Sequence, residues 1–299
     1  MKERLVNVVG TDGVLTKEPM ASHTTFRVGG EADYLVMPRS VDEVGQVIAA
    51  CREEGMDYML IGNGSNLLVS DKGYRGVIIQ LLDNFREISV QGKGIYAQAG
   101  ALLSTVARTA QKAGLAGMEF AGGIPGTIGG AMMMNAGAYG GEMKDIVSSV
   151  SVMDAQGRVS QYTCEDMAFG YRDSALAHDE LYALEITLAL QEGDPEEIAA
   201  EMNALAEKRS AKQPLEYPSA GSTFKRPEGH YAGALIEQAG LRGYQIGGAQ
   251  VSEKHCGFVI NAGGATAADV RELIEYVQQT VEEHSGVRMT PEVRFVGEF

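Results

Sequence analysis

Two glycine-rich loops are the strongest candidates for chemistry in this sequence. The first glycine loop, residues 62–66, reads Gly-Asn-Gly-Ser-Asn and lies between two apolar stretches. Glycines let a backbone turn tightly and aim successive N–H groups at one spot, which suits a pyrophosphate. The loop lacks both the Gly-Lys-Ser/Thr of a P-loop and the Gly-x-Gly-x-x-Gly of a dinucleotide fingerprint. An ordinary tight turn is the alternative.

The second glycine loop, residues 121–131, has five glycines within the nine residues 122–130. Such density implies close approach of the backbone to something flat or charged. The apolar residues between the glycines weaken the alternative of a flexible loop. The uncharged stretch 120–141 is long, but its eight glycines and one proline argue against a membrane span. We therefore expect the loop to contact a cofactor.

The composition is that of a soluble globular protein. The length of 299 residues suggests about two domains. A net charge of −15 disfavours a general nucleic-acid or anionic-membrane binder. Cys51, Cys164 and Cys256 are odd in number and far apart, so we expect reduced thiols, no disulfide framework and no metal site. The N-terminal apolar run is too short for a signal peptide, and a cytoplasmic location is expected.

The predicted elements place both loops within an alternating pattern of strands and helices. Residues 32–69 are predicted to form strand, helix, strand, glycine loop and strand, with Ser40 and Glu43 as a capping box at the helix start. A helix at 102–113 precedes the second glycine loop. Further strands are predicted at 77–81, 87–90, 95–99, 147–154, 158–162 and 181–190.

A smaller C-terminal lobe follows a long helix. Asp194, Pro195 and Glu197 predict the start of that helix, which runs to about residue 211. The next stretch, 212–231, is rich in Pro, Gly and Ser and marks the likeliest boundary between domains. The lobe is predicted to contain a helix at 232–238, a strand at 257–261, a helix at 267–285 capped by Thr266 with Asp269, and a strand at 292–296. The fold class is α+β.

These loops and several other motifs resemble one enzyme family. The motifs are the two glycine loops, His-Thr-Thr-Phe-Arg-Val-Gly-Gly at 23–30, Asn-Ala-Gly-Ala-Tyr-Gly-Gly-Glu at 135–142, Tyr-Arg-Asp-Ser at 171–174, Gly-Ser-Thr-Phe-Lys at 221–225 and Pro-Glu-Val-Arg-Phe at 291–295. In that order they resemble the UDP-N-acetylenolpyruvoylglucosamine reductase (MurB) family, second structural type, from about residue 19 to 299. The family belongs to the PCMH-type, VAO-like flavoprotein group.

The resemblance implies a division of the chain and a cofactor. It implies FAD-binding subdomains at 1–81 and 82–195, a substrate-binding domain at 196–290, and a C-terminal strand at 291–299 that returns toward the active site. FAD is expected to be noncovalent, because no His or Cys lies between Cys51 and Cys164; His23 is the one exception considered. NADPH is the implied co-substrate. The implied FAD contacts are Gly62, Asn63, Gly64, Ser65, Asn66, Leu67, Gly122, Gly123, Ile124, Pro125, Gly126, Thr127, Gly129 and Gly130.

Three residues match the catalytic pattern of the family. Arg172 is implied to bind the substrate carboxylate; the alternative is an ion pair with Asp173. Ser222 is implied to deliver a proton, and a loop or cap serine is the alternative. Glu292 is implied to help hold the developing enediolate, against a strand-edge glutamate paired with Arg294.

Five residues are expected to bind the UDP-linked substrate. The resemblance implies Tyr139 and Arg294, and the local basic residues add Arg209, Lys212 and Lys225. Basic residues cluster at the start of the C-terminal lobe, which suits an anionic ligand in an acidic protein. A solvated basic helix end is the alternative for Arg209. Arg226 stands where the family often has Asn. No nucleic-acid partner is expected, and the oligomeric state stays open.

Two other functions compete with this one. The chain could be another FAD oxidase or dehydrogenase of the same fold, or a flavin-binding protein without activity. The presence of Arg172, Ser222 and Glu292 in their motifs favours the reductase.

Overall fold

The computed structural model describes every residue from Met1 to Phe299. Its α-helices are α1 (Lys2–Val9), α2 (Val41–Glu53), α3 (Leu103–Lys112), α4 (Ile128–Met134), α5 (Pro195–Lys212), α6 (Ala232–Gln238) and α7 (Ala267–Ser285). Its strands are β1 (Val14–Pro19), β2 (Glu31–Val36), β3 (Tyr58–Ile61), β4 (Leu67–Val69), β5 (Tyr74–Gln80), β6 (Ile88–Gln91), β7 (Gly94–Gln98), β8 (Leu115–Ala116), β9 (Gly137–Ala138), β10 (Gly141–Glu142), β11 (Val147–Met153), β12 (Val159–Thr163), β13 (Tyr182–Ala189), β14 (Gln191–Glu192), β15 (Gln245–Ile246), β16 (Ala249–Val251), β17 (Val259–Asn261) and β18 (Arg294–Val296). The α+β class is confirmed.

The chain forms two compact units, each built from three separate segments. Unit 1 comprises Met1–Thr16, Tyr34–Asn63 and Gly76–Arg209. Unit 2 comprises Lys17–Asp33, Gly64–Arg75 and Ser210–Phe299. Each unit has its own hydrophobic core. The division at residues 81, 195 and 290 stays a prediction.

Unit 1 is organised around a five-stranded antiparallel sheet. Its strand order is β12-β11-β13-β7-β6. In the register, Ile186 lies opposite both Val150 and Ala97, and all three side chains are buried. A second sheet, of order β1-β2-β5-β3, gives unit 1 the parallel pair β3 and β5. Buried residues alternate along β7, whose two faces therefore differ, whereas β5 is buried at five consecutive positions and so is covered on both faces.

The helices of unit 1 follow the predicted caps and apolar spacing. In α2 the Ser40 Oγ accepts a hydrogen bond from the Glu43 N–H at 3.2 Å, as the sequence predicts. The apolar positions of α3 face the core, so the helix predicted at 102–113 is confirmed. Two helices, α1 and α4, were not predicted. The sequence of α4 is Ile-Gly-Gly-Ala-Met-Met-Met, and its two glycines give it a low helix propensity.

Unit 2 packs α7 against the antiparallel sheet β15-β16-β17. The buried side chains Val270, Leu273, Ile274 and Val277 recur at helical spacing along α7. Thr266 and Asp269 form the predicted capping box. The short strand β18 lies parallel to β4, with Arg294 opposite Leu67. This pairing connects the C-terminal segment to the end of the first glycine loop.

The helices carry no sign of a membrane crossing: none combines the required length with the required hydropathy.

Candidate active site

The first two residues of the first glycine loop contact the second glycine loop within unit 1. The Asn63 side-chain N–H donates to the carbonyl of Pro125 at 2.6 Å. A Cβ at Gly62 would collide with Oγ1 of Thr127, so only glycine allows this approach. The start of the first glycine loop therefore packs directly on the second. Two segments that are distant in sequence form one surface, as a shared cofactor contact requires.

The second glycine loop is held by backbone hydrogen bonds and then becomes helix α4. The N–H of Ile128 donates to Ala101 O, and that of Gly129 donates to Ala99 O, both at 2.8 Å. Thr127 Oγ1 accepts from the Gly130 N–H at 3.3 Å and caps α4. The density of glycines thus serves close packing as well as ligand contact.

Several backbone N–H groups of both loops have no partner in the protein. The amides without a hydrogen bond belong to Gly62, Asn63, Gly64, Ser65, Gly123 and Gly126. Successive N–H groups of this kind can bind an anion, and the predicted pyrophosphate contact of residues 62–66 stays a prediction. The loops therefore offer donors for the phosphate groups of a dinucleotide cofactor.

Unit 2 contributes a polar group beside the remainder of the first glycine loop. The Thr25 N–H donates to Gly64 O at 3.3 Å, and a Cβ at Gly64 would collide with His23 O. Oγ1 of Thr25 is buried without any hydrogen-bond partner. A buried unpaired hydroxyl is costly unless a ligand satisfies it, which fits a polar cofactor at this loop. The residue was not predicted as a site residue, although its motif at 23–30 was noted.

Asn66 connects the first glycine loop to the C-terminal motif in unit 2. Its side-chain N–H donates to Glu292 O, and its carbonyl accepts from the Arg294 N–H, both at 3.0 Å. The predicted cofactor contact Asn66 therefore sets the backbone that carries Glu292. Its contacts give Asn66 a structural role in addition to any contact with FAD.

Ser222 and Glu292 lie on neighbouring backbone segments of unit 2. The Glu292 N–H donates to Thr223 O at 2.8 Å, and the Lys225 N–H donates to Thr290 O at 2.9 Å. The hydroxyl-bearing Ser222 is exposed, whereas Glu292 is half-buried. Unit 2 thus carries Ser222, Lys225 and Glu292 on two backbone segments that are hydrogen-bonded to each other.

Arg172 lies in unit 1, on a turn from Gly170 to Asp173. The Gly170 N–H donates to Asp173 O at 3.0 Å, and Arg172 has the left-handed φ of 56°. Its guanidinium Nη2 donates to Gly137 O at 3.4 Å, and its Cζ lies 5.3 Å from the centre of the Tyr171 ring. Arginine rarely adopts this φ, and such backbone conformations concentrate at functional sites.

Two more predicted substrate contacts, Tyr139 and Arg209, also lie in unit 1. A Cβ at Gly123 would come within 3.0 Å of the Arg209 side chain, so this cation borders the second glycine loop. Burial lowers the pKa of the Arg209 guanidinium, while its interaction with Tyr139 opposes that shift. No carboxylate is paired with Arg209. A half-buried cation without a carboxylate suits an anionic ligand.

The predicted residues divide between the units. Unit 1 holds the residues at the contact between the two glycine loops, with Tyr139, Arg172 and Arg209, and unit 2 holds Ser222, Lys225, Glu292 and Arg294. Lys212 is the exposed last residue of α5. Unit 1 therefore carries unpartnered backbone N–H groups and two guanidinium groups of the predicted site, and unit 2 carries the predicted hydroxyl and carboxyl.

The two glycine loops and the fold that joins them are those of a flavoprotein. Residues 32–163 match the model of an FAD binding domain. A variant of Phl p 4 described as a glucose oxidase shares this fold at 15% identity, with a TM-score of 0.51 over 65% of this chain and 44% of that one.

The family is defined by the relatives that match nearly the whole chain. Residues 213–296 match the C-terminal domain of UDP-N-acetylenolpyruvoylglucosamine reductase. The enzyme of that name from Clostridioides difficile is 50% identical over 98% of this chain and 97% of its own length. The corresponding enzyme of Caldanaerobacter subterraneus is also 50% identical, over 99% of this chain and 98% of its own length. The crystal structure of the Thermus caldophilus enzyme superposes with a TM-score of 0.81 at 35% identity, over 95% and 98% of the two chains. The chain belongs to the UDP-N-acetylenolpyruvoylglucosamine reductase family.

Proposed function

We propose that this chain catalyses the NADPH-dependent, FAD-mediated reduction of UDP-N-acetylglucosamine enolpyruvate to UDP-N-acetylmuramate, a step of peptidoglycan synthesis. The observation that carries this function is 50% identity to a reductase of that name over 98% of the chain. When bound, FAD takes a hydride from NADPH and passes it to the enolpyruvyl ether.

The two glycine loops hold FAD noncovalently. The unpartnered N–H groups of residues 62–65 suit its pyrophosphate, and the second glycine loop suits the neighbouring parts of the cofactor. The buried hydroxyl of Thr25 supports a further polar contact at Gly64. The hydrogen bond from Asn63 to the Pro125 carbonyl holds the two loops against each other.

Arg172 binds the carboxylate of the substrate. Hydride addition to the terminal vinyl carbon moves negative charge onto that carboxylate, so a fixed cation there stabilises the transition state. The planar guanidinium can donate two parallel hydrogen bonds and keeps its charge. The alternative to this role is an ion pair of Arg172 with Asp173, whose carboxylate oxygens also lie 2.8 and 2.9 Å from the His178 Nε2.

Ser222 delivers the proton and Glu292 stabilises the intermediate charge. After hydride addition the carbon that bears the carboxylate is an enolate carbon, and its protonation completes the reaction. An exposed serine hydroxyl is a weak acid, but protonation of such a carbon is strongly downhill. Glu292, on the paired segment, holds the enediolate oxygens when its carboxyl carries a proton.

Five residues bind the UDP part of the substrate. Arg209, Lys212, Lys225 and Arg294 supply cations for the pyrophosphate, and Tyr139 supplies an exposed ring and hydroxyl. Their charges create local positive potential in a protein of net charge −15. The proposed location is the cytoplasm, and nucleic acids are not partners.

The test of this function is a spectroscopic and product assay of the purified protein. We expect the visible absorption bands of oxidised flavin, and NADPH oxidation that depends on the UDP-linked enol ether and yields UDP-N-acetylmuramate. Flavin bands with NADPH oxidation that depends only on oxygen favour the other FAD oxidase function. A protein without flavin bands that takes up no FAD contradicts both.

A further inference from the structure

We propose that Asn135 is a positioning residue that sets the place of the Arg172 guanidinium during reduction of the substrate. This inference rests on the proposed role of Arg172 at the substrate carboxylate. It concerns a residue that neither touches the substrate nor belongs to the predicted site.

The Asn135 side chain uses three hydrogen bonds in a buried position. It is 1% exposed and ends helix α4 with the left-handed φ of 39°. Its Nδ2 donates to Glu142 Oε2 at 2.6 Å and to Gly170 O at 3.1 Å, and its Oδ1 accepts from the Lys144 N–H at 3.0 Å. The amide is therefore satisfied on both of its polar atoms by segments from outside α4.

Arg172 connects the same segments, because its backbone belongs to one of them and its guanidinium is hydrogen-bonded at the other. Gly170 begins the turn that carries Arg172, and Glu142 pairs in register with Gly137, whose carbonyl accepts from the Arg172 guanidinium. One buried amide thus holds both the backbone from which the arginine departs and strand β10, which pairs with the strand that accepts its guanidinium. Displacement of either segment changes where the guanidinium points.

The turn itself needs such support. Arg172 has the left-handed φ, and a strained non-glycine backbone persists only where its surroundings hold it. Ser174 supplies a second hold, because its buried hydroxyl donates to Met133 O at 3.2 Å in the last turn of α4. Helix α4 begins at the second glycine loop, so Asn135 ties the arginine turn to the same element that borders the cofactor loops.

Asparagine is the residue type that meets both demands. It tolerates the left-handed φ and offers two N–H donors with one acceptor. In Asn135→Gly the φ is preserved and all three side-chain bonds are lost. In Asn135→Asp the bond from Lys144 can persist, but both donors are replaced by a carboxylate that faces Glu142 and the Gly170 carbonyl. The two variants remove the hold on Arg172 by different routes.

The test follows the two half-reactions in the FAD-loaded enzyme. We expect both variants to keep the flavin spectrum and near-normal flavin reduction by NADPH, and to slow reoxidation by the UDP-linked enol ether about 100-fold, as a misplacement of about 1 Å can do. Calorimetry gives an independent readout: the preference for the enol ether over UDP-N-acetylglucosamine, which lacks the carboxylate, should shrink. Val150→Ala, in the core of β11, is the control for lost stability without an effect on reoxidation.

A double-mutant cycle decides whether the effect passes through Arg172. In an Arg172→Lys background, Asn135→Asp should slow reoxidation further by no more than about twofold. Full additivity, equal slowing of both half-reactions, or reoxidation at the normal rate in both Asn135 variants overturns the proposal. If Arg172→Lys alone leaves reoxidation unchanged, the proposed role of Arg172 fails first and the inference falls with it.

Discussion

At the scale of single residues, the candidate site of unit 1 concentrates unusual backbone geometry. Asn135, Tyr139 and Arg172 all have positive φ, at 39°, 55° and 56°. Two of the three were predicted as site residues from family motifs. Their backbone conformation could not be predicted from residue type, because tyrosine and arginine rarely adopt it. These backbone conformations cost stability, and strained residues of this kind cluster at functional sites, which supports a site at these three residues.

The first prediction concerns the proton donor. Ser222→Ala should leave flavin reduction by NADPH intact and slow reoxidation by the enol ether by about 100-fold or more, since loss of a general acid removes that much. Stopped-flow absorbance of each half-reaction measures this. Ser219→Ala, three residues earlier on the same segment, is the matched control. Normal reoxidation in Ser222→Ala would show that the proton comes from elsewhere.

The second prediction concerns the carboxylate contact. Arg172→Lys keeps the charge but loses the two parallel hydrogen bonds, so reoxidation should slow roughly 10- to 100-fold. Flavin reduction by NADPH should be unaffected. An equal loss in both half-reactions would place Arg172 at the cofactor or at NADPH instead.

At the scale of elements, helix α4 connects the cofactor loops to the arginine turn. Most elements follow signals within their own segment: Ser40 caps α2, Thr266 caps α7, and the predicted bounds of α6 and α7 agree with the structure. α4 was missed because glycine disfavours helix, and its stability comes from contacts with Ala99 and Ala101, almost thirty residues earlier. Contacts of that kind leave no local pattern in the sequence.

The third prediction separates packing from cofactor contact within α4. At Gly129 a Cβ would lie 2.6 Å from the Ala99 Cβ, so Gly129→Ala should destabilise the fold by about 1–3 kcal/mol. At Gly130 the nearest atom would be Thr127 Oγ1 at 3.5 Å, so Gly130→Ala should stabilise the FAD-free protein by about 0.5–1 kcal/mol through helix propensity.

The same pair of variants tests the predicted FAD contact of Gly130. If this face of α4 touches the cofactor, Gly130→Ala should lower FAD affinity while it raises the melting temperature of the apoprotein. Fluorescence titration with FAD and thermal unfolding measure the two effects. A stabilised variant with unchanged FAD affinity would remove Gly130 from the cofactor site.

At the scale of the whole molecule, the negative net charge and the basic side chains of the predicted site affect ligand binding in opposite ways. The net charge of −15 disfavours general binding of polyanions, whereas five of the predicted site residues are basic: Arg172, Arg209, Lys212, Lys225 and Arg294. The sequence therefore predicts an anionic ligand and a set of basic contacts, and those contacts stay predictions. Thr25 and Asn135 escaped prediction because their importance lies in burial and long-range hydrogen bonds, which only coordinates reveal.

The fourth prediction concerns pH and the stability of unit 2. Burial lowers the pKa of His255 below its ordinary value of 6.5, and its Nδ1 accepts from the Gly257 N–H at 3.1 Å. The folded state therefore favours neutral imidazole, and the unfolded state binds the extra proton. The contribution of His255 is present above pH 6.5 and is lost as the pH falls through the folded pKa.

Denaturant unfolding across pH checks this. His255→Gln should flatten the decline of unfolding free energy just below pH 6.5, with little change in the acid range where Asp154, Asp166 and Asp269 titrate. An unchanged slope just below pH 6.5 would assign the decline to other groups.

The most direct test of the central claim is a single-turnover experiment without oxygen. The enzyme is first reduced by NADPH and then mixed with either the UDP-linked enol ether or UDP-N-acetylglucosamine. We expect the oxidised flavin spectrum to return with the enol ether alone, together with one equivalent of UDP-N-acetylmuramate. A flavin that stays reduced with the enol ether, or that reoxidises without this product, would contradict the account.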